Sequence, residues 1–168
     1  MKNIILDDDL YKKVNDILNK YENNSNDLLA ILLEIQAIIP EQYIPKEVTK
    51  YISEYLEIKV SKIYDVITFY SALSDKPRGQ YVIQICNSTA CMVNKYETLK
   101  DVLEQQLEIK VGETTDDGMF TLMYTPCFGA CDVSPALRIG ENVYGKLDKK
   151  KVKDIIHNYR LHNLKEIL

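Results

Sequence analysis

Tyr81-Val82-Ile83-Gln84-Ile85-Cys86-Asn87-Ser88-Thr89-Ala90-Cys91 decides how the C-terminal half of this chain is read. Tyr81, Val82, Ile83 and Ile85 make the short apolar run of a buried strand, Cys86 ends it, and a loop of small residues carries Cys91. Downstream, Leu99, Val102, Leu103 and Leu107 recur at helical spacing within Tyr96 to Leu107, so the unit is strand, loop, helix. Gly112 and the turn Asp116-Asp117-Gly118 then precede a second strand, Met119 to Thr125, which delivers Cys127 just past its end. A third strand, Ala136 to Ile139, and a short one at Val143-Tyr144 flank the turn Gly140-Glu141-Asn142. Asp148 caps a last helix whose inner face is Val152, Ile155, Ile156 and Tyr159.

The order is βαβ followed by ββα, which is what a thioredoxin-like layer of strands with covering helices requires. Working back from Tyr81, the charged turn-former Ser74-Asp75-Lys76-Pro77-Arg78-Gly79 marks a change of periodicity. Before it the chain reads as helices. Leu10, Val14, Ile17, Leu18 and Tyr21 follow a triple-Asp start that suits a positive helix N-terminus. Asn23 to Asp27 form a turn and cap, launching a nearly all-apolar and therefore buried helix, Leu28 to Ile39, that stops at Pro40. Pro45 takes the first-turn position of a third helix with Val48, Tyr51, Ile52, Tyr55 and Leu56 inward. Ser61 is the expected cap of a fourth, with Ile63, Val66, Ile67, Phe69 and Tyr70 on its inner face. The expected architecture is α/β: a helical bundle over 1–75, then a thioredoxin-like domain over 80–168 that includes the C-terminal helix.

A length of 168 residues with 46% apolar content supplies two modest cores. The formal charge of -4, from 21 basic and 25 acidic residues, provides no field for phosphate backbones, so nucleic acid is not an expected partner. Met1 to Leu6 run straight into Asp7-Asp8-Asp9, too short an apolar stretch for a signal peptide, and Leu28 to Ile39 is broken by Glu34 and Gln36 well short of the ~20 residues of a membrane span. The expectation is a cytoplasmic protein that does not span a membrane. Of the 12 tyrosines, Tyr51, Tyr55, Tyr70 and Tyr81 fall on inward faces and read as packing residues. Lys149-Lys150-Lys151 reads as a solvated helix start, and Leu161, Leu164, Ile167 and Leu168 extend the last helix as an apolar tail.

Four cysteines in two short pairs carry the chemistry: Cys86 and Cys91 after the first strand, Cys127 and Cys131 after the second. If those strands are neighbours, the four sulfurs meet at one end of the sheet. Ser88, Thr89 and Ala90 in one loop, and Gly129 and Ala130 in the other, let backbone N–H groups approach sulfur, while Pro126 and Pro135 stiffen the second loop. Three occupants compete. A structural zinc ion takes four cysteines in short pairs. A [2Fe-2S] cluster takes four thiolates too, although this spacing is neither the plant-type nor the bacterial ferredoxin run. Disulfides need an oxidising compartment and rank last. His157 and His162 lie away from the loops and read as surface residues, so there are no nitrogen ligands for a Rieske arrangement. Spacing leaves zinc and iron–sulfur even.

Gly112-Glu113-Thr114-Thr115-Asp116-Asp117-Gly118-Met119-Phe120, followed by Cys127-Phe128-Gly129-Ala130-Cys131-Asp132 and Pro135, resembles the small thioredoxin-like iron–sulfur subunit of respiratory NADH dehydrogenase and its relatives in soluble NAD-dependent hydrogenases and formate dehydrogenases. Asp65-Val66-Ile67-Thr68-Phe69-Tyr70 and Pro77-Arg78-Gly79 resemble the same family's helical region and linker. The resemblance implies one [2Fe-2S] cluster on Cys86, Cys91, Cys127 and Cys131. It further implies docking on a larger subunit that carries FMN, an NAD(H) site and a [4Fe-4S] cluster. The chain would then be an electron carrier within an NAD(P)H-linked oxidoreductase, with no catalytic residue of its own, exchanging single electrons with the partner's flavin. The favoured complex is a soluble, electron-bifurcating type of hydrogenase or formate dehydrogenase; a membrane-bound NADH:quinone dehydrogenase and a zinc-binding adaptor are the alternatives. Phe128 stands where the family usually has leucine, Asp65 where glycine is common, and Lys95 where a small residue often follows the first cysteine pair. A four-thiolate cluster adds about two negative charges when oxidised and about three when reduced, so a low potential is expected in this acidic chain.

Overall fold

The computed structural model describes residues 8–166, with side chains over 8–162. The readings of Met1 to Leu6 and of the side chains of Leu164, Ile167 and Leu168 lie outside the described residues. The chain divides into two compact units, Met1–Arg78 and Gly79–Leu168.

The first unit packs α1 (Asp8–Lys20), α2 (Leu28–Ile38), α3 (Lys46–Tyr55) and α4 (Val60–Phe69) around one core. Val14 and Leu18 of α1, Ile31, Leu32 and Ile35 of α2, Val48 and Ile52 of α3, and Ile63 and Ile67 of α4 are all buried there, each set at the three-to-four-residue spacing that makes one helix face. Asn24 caps the short 3₁₀ turn Ser25–Asp27 by accepting from the Asn26 N–H, and that turn feeds α2. Three expectations are corrected. Pro45 is the N-cap, extended, with the helix beginning at Lys46. The fourth helix starts one residue ahead of Ser61, behind Lys59, so Ser61 lies inside it. Phe69 and Tyr70 are 79% and 40% exposed, because the helix ends at Phe69 and Tyr70 leaves its line in extended backbone. The unit closes on Gln36 and Arg78. Gln36 donates to the Ala72 carbonyl at 2.9 Å and accepts from the Ser74 N–H at 2.7 Å, while the Arg78 guanidinium donates to the carbonyls of Ala72, Leu73 and Ser71.

The second unit is a four-stranded sheet in the order β2-β1-β3-β4, with β1 Tyr81–Cys86, β2 Phe120–Thr125, β3 Leu137–Ile139 and β4 Asn142–Tyr144. β1 and β2 are parallel, joined by the crossover through α5 (Thr89–Val93) and α6 (Tyr96–Leu107); β3 and β4 run antiparallel. Ile83, Ile85, Phe120, Leu122, Leu137 and Ile139 share one face of the sheet. Leu99, Val102, Leu103 and Leu107 of α6 and Val152 and Ile156 of α7 (Lys149–Glu166) cover that face. Because strand side chains alternate, Gln84, Cys86 and Arg138 fall on the opposite face. Asp148 caps α7 by accepting from the Lys151 N–H at 2.8 Å. Cys91, expected on a loop, lies instead in the short helix α5. Among the described residues no helix is long and apolar enough to cross a membrane.

Candidate metal centre

The parallel register pairs Cys86 with Thr125, so β1 and β2 end level and the two cysteine-bearing segments leave the sheet side by side. Cys86 is the last residue of β1 and Cys91 sits on α5, both buried at 3% and 2% exposure. Cys127 and Cys131 are exposed, the latter opening a 3₁₀ turn, Cys131–Val133. Their sulfurs are 3.5 Å apart. Cys86 bears on the titration of Cys91, Cys127 and Cys131, so all four thiols are neighbours. All four are free; no disulfide forms among them.

The electrostatics split the set. The Gly129 N–H, 3.5 Å from the Cys127 sulfur, pulls the Cys127 thiol below its ordinary range, helped by the Cys131 thiol. Gly129 reaches that position at φ +88°, in the left-handed region open to glycine. Cys131 is pushed up by its hydrogen bond and charge contact with Cys127, and Cys91 chiefly by burial, against a backbone N–H from Ala136. A metal of positive charge converts such a set to thiolates, and the N–H groups already aimed at sulfur stabilise that form.

The donor set suits a two-centre group. Thiolates sharing one tetrahedral metal at ~2.3 Å stand about 3.8 Å apart, close to the separation of Cys127 and Cys131. The thiols form two pairs on two segments, and a binuclear iron cluster takes two thiolates at each iron, whereas zinc takes all four on one centre.

Several residues that frame the second pair were missed from the sequence. Asn94 donates to the Ser134 hydroxyl at 2.7 Å and to the Ala90 carbonyl at 2.8 Å, tying α5 to the second loop. Arg138 donates through Nε and Nη2 to Gln84 Oε1 at 2.8 and 2.6 Å and lies 5.6 Å from the centre of the Phe128 ring. Gly145 leaves space that Val133 fills, and the Lys146 N–H donates to the Val133 carbonyl at 2.6 Å. The available signals were a polar residue inside each of two apolar strands, Gln84 and Arg138, and a glycine between Tyr144 and the cap at Asp148.

Residues 14–160 match the thioredoxin-like [2Fe-2S] ferredoxin family. The chain belongs to that family. As a thioredoxin-like [2Fe-2S] ferredoxin it is 30% identical over 155 residues to the NADP-reducing hydrogenase subunit HndA of Solidesulfovibrio fructosivorans, covering 92% of this chain and 90% of that one. It is 33% identical over 155 residues to an NADH-quinone oxidoreductase subunit of Buchnera aphidicola, covering 89% and 96%, and 35% identical over 133 residues to the corresponding protein of Escherichia coli, covering 78% and 80%. A crystal structure of an NAD+-reducing [NiFe]-hydrogenase superposes with a TM-score of 0.68 at 20% identity, over 81% of this chain and 23% of that one, which is a likeness of fold. Two departures noted in the sequence have a structural reading. Lys95 sits at φ 60° and ψ 49°, the left-handed turn between α5 and α6, where glycine, which lacks a Cβ, is the less strained choice. Phe128 is the ring against Arg138.

Proposed function

We propose that this chain is the [2Fe-2S] electron-transfer subunit of an NAD(P)H-linked flavoprotein oxidoreductase, with Cys86, Cys91, Cys127 and Cys131 as ligands. The observation that carries the proposal is the meeting of four free thiols in two pairs at one end of β1 and β2. A bound cluster supplies a one-electron couple. The protein's part is to hold the ligands: β1 and α5 bury one pair away from water, and the second loop presents the other at the surface, with the Gly129 and Ala136 N–H groups stabilising sulfur charge. A one-electron couple takes no hydride, so hydride chemistry falls to a partner's flavin and NAD(P) site, and the partner is a larger FMN- and [4Fe-4S]-bearing subunit.

The favoured assembly is a soluble hydrogenase, the reading supported by the relative matched across 92% of this chain; electron bifurcation and a formate dehydrogenase partner extend that reading. Matches at 33% and 35% to NADH-quinone oxidoreductase subunits support the second reading, a respiratory dehydrogenase. We place the chain in the cytoplasm. The test is anaerobic purification with absorption spectroscopy and EPR after dithionite, on wild type and Cys127→Ser. A brown protein with a reduced [2Fe-2S] signal, altered or lost in the variant, supports the proposal; a colourless protein with stoichiometric zinc after attempted reconstitution overturns it. Capture of the native complex and assay of hydrogen, formate and quinone turnover then separates the assemblies.

A further inference from the structure

Arg138 sits in β3 directly opposite Gln84 of β1, on the sheet face opposite the one that α6 and α7 pack. Gln84 is two residues before Cys86, so its side chain and that of Cys86 share this face, ~7 Å apart along the strand. The guanidinium is half-buried, and its Nε and Nη2 both go to one neutral acceptor, Gln84 Oε1. It also lies over the ring of Phe128, the residue after Cys127. Among the described residues no carboxylate pairs with Arg138. Its partners are thus a neutral amide and a π face, neither of which cancels its charge. The cation is wedged between the strand that ends at Cys86 and the loop that begins at Cys127.

Resting on the ligand set proposed above, we infer that Arg138 is an electrostatic positioning residue that holds the Phe128 loop and raises the reduction potential of the cluster. A guanidinium stays charged at any working pH, so its effect is constant. Reduction adds one negative charge to a site that already carries about two, and a fixed cation on the order of 10 Å away favours that step. Asp132, the residue after Cys131, carries the opposite charge and opposes it. The acidic chain and Arg138 pull the couple in opposite directions, and the residue's place at the junction of both loops lets it act on the whole cluster.

The test compares Arg138→Gln, Arg138→Met and Arg138→Lys in the full-length, cluster-loaded chain by EPR-monitored redox titration. With the solution held at the wild-type midpoint, the ratio of reduced to oxidised cluster should fall about tenfold in both neutral variants, a shift of about 59 mV for a one-electron couple. Lys should stay near wild type, because it keeps the charge without the planar fork. An unchanged midpoint in the neutral variants overturns the inference, as does a Lys variant that shifts as far as Gln, which would make the residue a packing element. Neutral variants that hold less iron than wild type but show the wild-type midpoint in the cluster they retain would also overturn it, by reducing Arg138 to a loop anchor. Failure of the wild type itself to hold a [2Fe-2S] cluster would instead sink the ligand proposal.

Discussion

Gly145→Ala should damage the loop that carries Cys127 and Cys131 from behind. A Cβ at residue 145 would lie 2.3 Å from Cγ2 and 2.4 Å from Cβ of Val133, and 2.7 Å from its carbonyl oxygen, all inside the 3.0 Å that real contacts respect. The glycine is required for space, since its φ is not among the left-handed ones. Val133 cannot step aside freely, because it ends the 3₁₀ turn that begins at Cys131 and its carbonyl holds the Lys146 N–H at 2.6 Å. Overpacking of this kind costs ~1–3 kcal/mol, and loss of that hydrogen bond adds ~1 kcal/mol. A total near ~3 kcal/mol lowers the melting midpoint of a domain this size by about 15 °C. Iron per chain after anaerobic reconstitution, spin integration by EPR and a thermal melt read both effects together. Adding Val133→Gly removes two of the three contacts and should return part of the loss. Wild-type iron content and an unmoved midpoint in the single variant would refute the steric argument.

Three further outcomes are expected. Gly79→Ala should lower the second unit's stability by ~1–3 kcal/mol, because the new Cβ would stand 2.8 Å from backbone atoms of Phe120 beside the bond from the Gly79 N–H to Thr121; an unchanged urea midpoint would contradict it. Leu103→Ala, fully buried under the sheet, should cost ~2–5 kcal/mol, read by thermal or urea unfolding; a loss under 1 kcal/mol would mean the site collapses around the smaller side chain. In the helical unit, Lys20 Nζ at 2.7 Å and Tyr21 OH at 2.6 Å hold the Glu34 carboxyl below its ordinary 4.5. A depressed folded pKa gives stability that is present above the ordinary value and lost as pH falls through the folded one. Glu34→Gln should therefore flatten the acid side of the unfolding-versus-pH curve below about pH 4.5 and leave its neutral side parallel to wild type, and identical acid slopes would be the contrary result.

Much of the architecture was legible because burial imposes a period. Leu99, Val102, Leu103 and Leu107 could face one way only on a helix, and α6 spans the range read from them. The all-apolar α2 had to be central to the bundle, and Ile31, Leu32 and Ile35 are fully buried. Where one residue's local chemistry was read without its surroundings, the reading slipped. Ser61 is a good cap by type, but Lys59 already stands extended two residues earlier. Phe69 and Tyr70 continue the apolar stripe of α4 in sequence, yet the helix ends there and leaves them exposed. The cysteines announced themselves by spacing, and parallel strand pairing brought them together. The split into a buried and an exposed pair depends on side chains from other strands, which no local pattern carries.

The two pairs are held by different physics, and this separates damage to the fold from damage to the site. Cys86 and Cys91 belong to a strand end and a helix, so their placement comes with the sheet. Cys127 and Cys131 stand on a loop pinned from three sides. Asn94 reaches Ser134 from the α5 end, Gly145 admits Val133 from the β4 end, and Arg138 holds Phe128 from the sheet. A substitution such as Gly79→Ala attacks the register of β1 and β2 and should displace all four cysteines. Gly145→Ala and the Arg138 variants act on the second pair while the first keeps its place. The loop that exposes two sulfurs is also the one whose geometry the rest of the domain can adjust, because each of its three contacts comes from a different element.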